Sequence, residues 1–379
     1  MLRRSFKTKR VHGVGNSEDT EIVITNERLH ASGVFSNVYQ AQMLLPTAQK
    51  IAIKKVWFSK TTAKAAEQEI ELLKQLNHPN VVSLLYHFEL KTSDETCECL
   101  VFDFLPSDLS RLRQKLAGRR FDPLDAKLYA WQMYEGLNYV HSCGITHCDL
   151  KPSNLIVDEE HGLLKLADFG NAKILKKGDP QNSYQVTRYY RAPELIFGAT
   201  EFTMSIDRWA AACVLAELHL GRPFLCGSDN TDQGRLIIDL LGYPTSDQIK
   251  AMNVKKPKFS RKKARGFGPL VANTNFPPLA LDIVDRSLVY EPDLRMSIDS
   301  ILAHAFFNEL RENPRLKRAN GTSIPSLNYW TEQKTQSVRS FQATRNSKTC
   351  IEKSDSITAQ PKPSTKSNLF KRWWSWWKL

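Results

Sequence analysis

The stretch Ile145-Thr146-His147-Cys148-Asp149-Leu150-Lys151-Pro152-Ser153-Asn154, ITHCDLKPSN, sets a carboxylate, an ammonium group and a side-chain amide in the order D-x-K-x-x-N, with Cys148 just ahead of the carboxylate. Its flanks decide what kind of loop it is. Upstream, DPLDAKLYAWQMYEGLNYVHSCG (Asp122 to Gly144) repeats apolar residues at three- and four-residue steps. Pro123 falls in the first turn of that helix and Gly144 at its stop. Downstream, LLKLADFGNA runs from an apolar stretch into Asp168-Phe169-Gly170. Beyond it, IDRWAAACVLAELHLG is apolar nearly all round, the mark of a buried helix. The polar loop therefore belongs to a helix-rich half of the chain.

The preceding hundred residues read differently. EIVIT, NVYQAQML and KIAIKKVWF are strand-like runs separated by polar or turn-forming residues. From Ala63 to Asn77, Ile70, Leu72, Leu73 and Leu76 recur at helical spacing, and His78-Pro79 closes the segment. VVSLLYHFEL and CECLVFDFL then alternate or run apolar, as paired strands do. A small sheet with one helix, followed by a helical body, places a cleft at their junction.

Composition limits the alternatives. With 379 residues, 41% hydrophobic and 10% aromatic, the chain has enough apolar material for a large core or two lobes. No apolar run reaches the length of a membrane-spanning helix. MLRRSFKTKR lacks the apolar stretch of a secretory leader; a solvated basic tail is preferred to a mitochondrial presequence, which its Arg, Lys and Ser mimic. The seven cysteines are scattered and the close pair Cys97 and Cys99 fits neither a redox CxxC nor a zinc knuckle, so a reducing intracellular compartment is expected, cytoplasmic with a nuclear share. The net charge of +13 concerns partners rather than fold, and no zinc-finger, RRM or KH pattern points to sequence-specific nucleic-acid binding.

Transfer of a phosphoryl group from ATP requires a cover over the phosphates, a cation on their oxygens, metal ligands and a group that accepts or orients the nucleophile's proton. Candidates for these parts occur in order. Ile51-Ala52-Ile53-Lys54 is similar to the VAIK strand of protein kinases, Glu69 follows on the predicted helix, Asp149, Lys151 and Asn154 match HRDxKxxN except at Cys148, Asp168-Phe169-Gly170 matches DFG, and Ala192-Pro193-Glu194 matches APE. The segment from about Thr25 to Leu310 thus resembles a eukaryotic protein kinase domain. SYQVTRYYRAPELIFGATEFTMSIDRWAAACVLAELHLGRPF and DLLGYPTSDQIKAMN resemble the glycogen synthase kinase-3 family.

The resemblance implies an α+β bilobal protein kinase fold, with a β-rich N-lobe carrying one helix (about 25–105) and a helical C-lobe (about 106–310). It implies serine/threonine phosphorylation with ATP and Mg2+. Asp149 would accept or orient the hydroxyl proton, Lys151 would steady the transferred charge, and Asn154 and Asp168 would hold metal. Lys54 would bind phosphate and pair with Glu69, while Gly33, Val38, Ala52, Asp103 and Leu105 would surround the nucleotide behind a bulky Phe102. Asp207 would brace the catalytic loop, Glu194 would pair with Arg295, and Arg188 and Arg191 would receive a phosphate on Tyr184.

Three departures stand out. The phosphate-covering loop reads Ala31-Ser32-Gly33-Val34-Phe35-Ser36-Asn37-Val38, keeping one of its usual glycines, so weaker ATP binding is expected. Cys148 replaces an arginine that cysteine cannot imitate. In the glycogen synthase kinase-3 family three cations bind a phosphate already present on the substrate; by position these are Gln68, Cys148 and Lys173, of which only Lys173 is basic. An active kinase with reduced dependence on primed substrates is expected, and a scaffold without phosphotransfer is the alternative. The same loss disfavours autoinhibition by a phosphorylated N-terminus, although Ser5 in LRRSF resembles such a site.

The expected organisation is a basic N-terminal tail (1–24), a kinase domain (25–310), an extension packed on the C-lobe (311–330) and a disordered polar tail (331–379) ending in RWWSWWKL. Two readings of that Trp-rich end stay open, contact with a membrane surface and docking on the kinase body. The basic loop KKPKFSRKKAR (Lys255 to Arg265) is a poor match for the family's scaffold-docking surface and suits an anionic partner or an import factor. The expected state is a monomer acting on protein substrates, with a scaffold protein as a further partner.

Overall fold

Alternation along Gln49–Trp57 organises the first lobe: Ile51 and Ile53 point one way and Ala52 and Lys54 the other. The computed structural model describes residues 3–10, 19–33, 36–57, 62–91, 96–117, 120–175, 187–272, 274–313 and 315–327. Six antiparallel strands, Arg4–Arg10 (β1), Asp19–Ser32 (β2), Ser36–Leu45 (β3), Gln49–Trp57 (β4), Leu84–Lys91 (β5) and Thr96–Asp103 (β6), close into a barrel in the order β1-β2-β3-β4-β6-β5. Its interior is filled by Ile22, Ile24, Ala41, Met43, Ile51, Ile53, Cys97, Cys99 and Val101. The opposite face carries the residues that matter for a site. Val38 and Leu100 are register partners of Lys54, and Phe102 is the partner of Ala52, so all five share one surface. Thr62–Leu73 (α1) buries Ala66, Glu69, Ile70 and Leu73, a stripe at three- and four-residue spacing.

Within the segment 1–24, read as a basic tail, the described residues 3–10 and 19–24 belong instead to the barrel. Within them, β1 pairs with β2 on one side and with β5 on the other. Arg4, Ser5, Lys7 and Lys9 face solvent while Phe6 and Thr8 turn inward, so a run that looks merely basic has strand periodicity. Phe6 stacks on Phe88 with centroids 4.6 Å apart, and the Thr8 hydroxyl donates to the Thr20 carbonyl at 2.8 Å. Ser5 is held in the ladder opposite Val23 and its hydroxyl donates to Glu21.

The second lobe begins with a small sheet, Ser107–Asp108 (β7), Leu155–Asp158 (β8) and Leu163–Leu166 (β9). Leu109–Lys115 (α2) is capped by Asp108, which accepts from the Arg111 amide at 2.9 Å. Pro123–Ser142 (α3) is capped by Asp122 and followed by Gly144, whose φ of +77° suits glycine. Pro193–Ile196 (α4), the almost wholly buried Ser205–Leu220 (α5) and Asn230–Leu241 (α6) build the rest of the body near the site. Glu194 and Arg295 form a two-pronged buried ion pair at 2.7 and 2.6 Å. In the segment read as an extension, Arg318 donates to Asp125 at 2.6 Å and to the Glu159 and Glu160 carbonyls, while Ile324 is buried. The run Lys255 to Arg265 lies along α6: Phe259 packs on Gly234, and Lys262 meets Asp239 at 2.7 Å. Residues 331–379, with the Trp-rich end, lie outside the described residues.

Candidate active site

Lys54, Glu69 and Asp168 come from β4, α1 and the turn after β9, and the fold brings their charges to one point. The Lys54 ammonium donates to both Glu69 oxygens at 2.7 and 2.8 Å and to Asp168 Oδ1 at 2.8 Å. Burial works against that ammonium, but the two carboxylates outweigh it and raise its pKa. Lys54 in turn holds the Asp168 carboxyl down at about 2 despite burial. Burial pushes Glu69 up against the pull of Lys54. Of the three side chains Asp168 is the open one, 43% exposed against 13% for Lys54 and 4% for Glu69. Asp168 has φ +63°, a left-handed conformation unfavourable for a residue with a Cβ. Phe169 behind it is buried against the His147 ring, with centroids 5.0 Å apart.

The loop Ile145 to Asn154 is held from below by one carboxylate. Asp207, on α5 and 1% exposed, accepts from the His147 amide at 2.7 Å, the Cys148 amide at 3.0 Å and His141 Nε2 at 2.9 Å. His147 Nε2 reaches the Ala167 carbonyl at 3.0 Å, tying the loop to the residue before Asp168. Asp149 projects at the cleft floor: Lys151 donates to its Oδ2 at 2.6 Å, and the Asn154 amide donates to its carbonyl at 2.8 Å.

Thr187 was not among the residues singled out in the sequence. Its amide and its hydroxyl both donate to Asp149 Oδ1, at 3.1 and 2.9 Å, and its hydroxyl accepts from Lys151 at 3.0 Å. The available signal was a hydroxyl residue just ahead of Arg188-Tyr189-Tyr190-Arg191 in a loop otherwise read for its tyrosine.

The nucleotide-facing residues divide. Val38 and Ala52 share the surface of Lys54, as the register requires. The hinge leaves the β4–β6 ladder at Asp103, whose carboxylate is 3.8 Å from Lys165, and Leu105 is half-buried. Gly33 makes a tight turn, its amide donating to the Ser36 carbonyl at 2.8 Å; a Cβ there would sit 3.1 Å from that oxygen. Ala31 and Ser36 lie within the ladder, opposite Val38 and Val56, where a Cβ is accommodated.

Gln68, Cys148 and Lys173 converge. The Gln68 amide donates to the Ala172 carbonyl at 3.0 Å, and Lys173 pairs through its backbone with Thr146 at 2.8 and 2.9 Å. Cys148, at φ +65° and 2% exposed, turns its thiol inward toward the Thr146 carbonyl. Burial, reinforced by Asp207, pushes that thiol well above the ordinary cysteine range, so it is neutral. Arg188 donates to the Gly227 and Ser228 carbonyls, and Arg191 to Asn230 Oδ1 at 2.8 Å, anchoring the entry to α6. Tyr184 lies outside the described residues.

Residues 25–307 match the protein kinase domain family. Over 309 residues the chain is 42% identical to the Caenorhabditis elegans protein named "Putative serine/threonine-protein kinase gskl-1", spanning 80% of this chain and 84% of that one.

Proposed function

The chain belongs to the protein kinase family, and on that premise we propose that it phosphorylates serine and threonine hydroxyls of protein substrates without needing a phosphate already present on the substrate. The observation that carries the second half is the convergence of Gln68, Cys148 and Lys173. A phosphate carries roughly −1.5 to −2 charge near neutral pH and favours several charge-assisted donors. Here a neutral amide is committed to the Ala172 carbonyl and a neutral thiol points into the protein, which leaves Lys173 as the single cation among the three.

Within this reading Lys54 binds the ATP phosphates, oriented by Glu69, and Asp149 accepts or orients the proton of the attacking hydroxyl. Lys151 bridges Asp149 and Thr187 and steadies charge on the transferred group. Mg2+ is usually held by one or two carboxylates together with substrate phosphates. Asp168, open and charged, with the Asn154 side-chain oxygen left over from its bond to Asp149, is a donor set of that kind. When bound, the ion neutralises negative charge developing on the phosphoryl oxygens.

Peptide pairs with and without a phosphoserine four residues C-terminal to the target serine test the reading. Comparable kcat/KM for both members is expected, and a strong preference for the phosphorylated member overturns it. Gln68→Arg together with Cys148→Arg should create a preference for primed peptides.

The single glycine of the phosphate-covering turn favours a second reading, a scaffold without phosphotransfer. Transfer of labelled phosphate to a generic basic protein, abolished by Asp168→Ala, separates the two; no transfer by the unaltered chain supports the scaffold.

A further inference from the structure

A contact between the two lobes at the edge of the cleft has no part in the chemistry described above. His30 lies on β2, three residues before the Gly33 turn, and Arg111 lies on α2, just beyond the hinge. Arg111 donates from one guanidinium nitrogen to His30 Nε2 at 2.9 Å and from the other to the His30 carbonyl at 3.2 Å. The local backbone explains why both acceptors are free for it. Leu29 pairs with Tyr39 and Ala31 with Val38, so His30 is an extra residue in the β2–β3 ladder, a bulge that turns its peptide and side chain out of the regular pattern. The ring also meets the edge of the hinge residue Phe104, with centroids 5.2 Å apart. Asp108 orients the guanidinium from below, 3.3 Å from Arg111 Nε, while it caps α2.

The bond defines the protonation state of the ring. Arginine has donors and no acceptor, so Nε2 must be the unprotonated nitrogen and the imidazole must be neutral. Protonation would remove the acceptor and set an imidazolium against a guanidinium. Arg111 of α2 and Asp108, which caps that helix, are the charged groups acting on the ring, and the hinge presents only the uncharged edge of Phe104. Burial, reinforced by Arg111 and opposed by Asp108, holds the His30 pKa below its ordinary 6.5.

We infer that His30 and Arg111 are positioning residues that latch the two lobes together across the mouth of the nucleotide cleft, so that nucleotide leaves only when the latch opens. The inference rests on the proposal that this cleft binds ATP. Because the latched imidazole has the lower pKa, the latch is fully present above about pH 6.5 and weakens as the pH falls below that value, where the open form takes up the proton more readily.

The test is stopped-flow release of N-methylanthraniloyl-ADP, with Mg2+, from the full chain and from His30→Phe, Arg111→Gln and the double variant. His30→Phe retains an aromatic ring beside Phe104 and removes the acceptor. Each single variant should release nucleotide about two- to tenfold faster at neutral pH, the range for loss of one such bond, and the double variant should be no faster than the faster single one. Release from the unaltered chain should quicken as the pH is lowered from about 7.5 to about 5.5, while both variants stay flat across the same range. A general loss of packing would not remove that pH response selectively. Unchanged release in both single variants, or a pH response that persists in them, overturns the latch alone. If no form binds the nucleotide, the reading of the cleft fails and the latch fails with it.

Discussion

Thr187 places its hydroxyl between the two charged groups of the catalytic loop, donating to Asp149 and accepting from Lys151. Its amide bond to Asp149 is independent of the side chain, so Thr187→Val removes the hydroxyl while preserving shape and backbone. We expect kcat to fall about tenfold, the equivalent of one charge-assisted hydrogen bond, with KM for ATP little changed and Thr187→Ser recovering most of the loss. A Thr187→Val kcat within about twofold of the unaltered chain would contradict this role. Lys54 presents the opposite case, since it supports two carboxylates at once. In Lys54→Met the almost fully buried Glu69 loses its cation, and unfolding free energy should drop by about 3 kcal/mol in urea titrations. Adding Glu69→Leu should recover much of that stability, yet phosphotransfer should remain down by two or more orders of magnitude. Recovery of activity along with stability would show that Lys54 acts only on the fold.

Among the elements, β1 shows best where sequence patterns lose their force. Its outward residues are Arg, Lys and Ser, and its inward ones are a single Phe and a Thr, so charge hides a two-residue period that apolar strands declare openly. What makes the segment a strand is supplied from elsewhere: the edges of β2 and β5 that it pairs with, and the ring of Phe88 that Phe6 helps to bury. Phe6→Ala should therefore cost about 1–2 kcal/mol, measured by urea unfolding, and a cost below about 0.3 kcal/mol would mean that β1 adds little to the barrel. The cleft residues were legible for the complementary reason. Asp149, Lys151 and Asn154 lie within six consecutive positions, Lys54 and Asp168 each sit in a short pattern of recognisable neighbours, and Glu69 is placed by the helix that follows Lys54. Thr187 and His30 act through partners 38 and 81 positions away, and no local pattern records such distances.

Across the whole molecule, elements far apart in sequence are joined by long cationic side chains that each satisfy several acceptors. Lys54 reaches Asp168 over 114 positions, Arg295 reaches Glu194 over 101, and Arg318 reaches Asp125 over 193. The first ties β4 to the turn after β9 and the second ties α4 to the body. Arg318 has no catalytic neighbour, and its fork serves α3 and the β8–β9 turn together. It bonds Asp125 through two nitrogens, the carbonyls of Glu159 and Glu160, and the Tyr129 hydroxyl, and it lies against Gly162, where a Cβ would come within 2.9 Å of its Nε. Arg318→Ala would leave Asp125 and two carbonyls without this donor, and unfolding free energy should fall by about 2–4 kcal/mol. Lysine has a point charge in place of the planar fork, so Arg318→Lys should regain less than half of it. Because none of these contacts touches the cleft, kcat per folded molecule should stay within about twofold in both variants, while trypsin should cut near Arg315 and Lys317 sooner than in the unaltered chain. Equal stability and equal trypsin resistance in Arg318→Ala would mean that the extension is held by Ile324 and its neighbours, without help from the arginine.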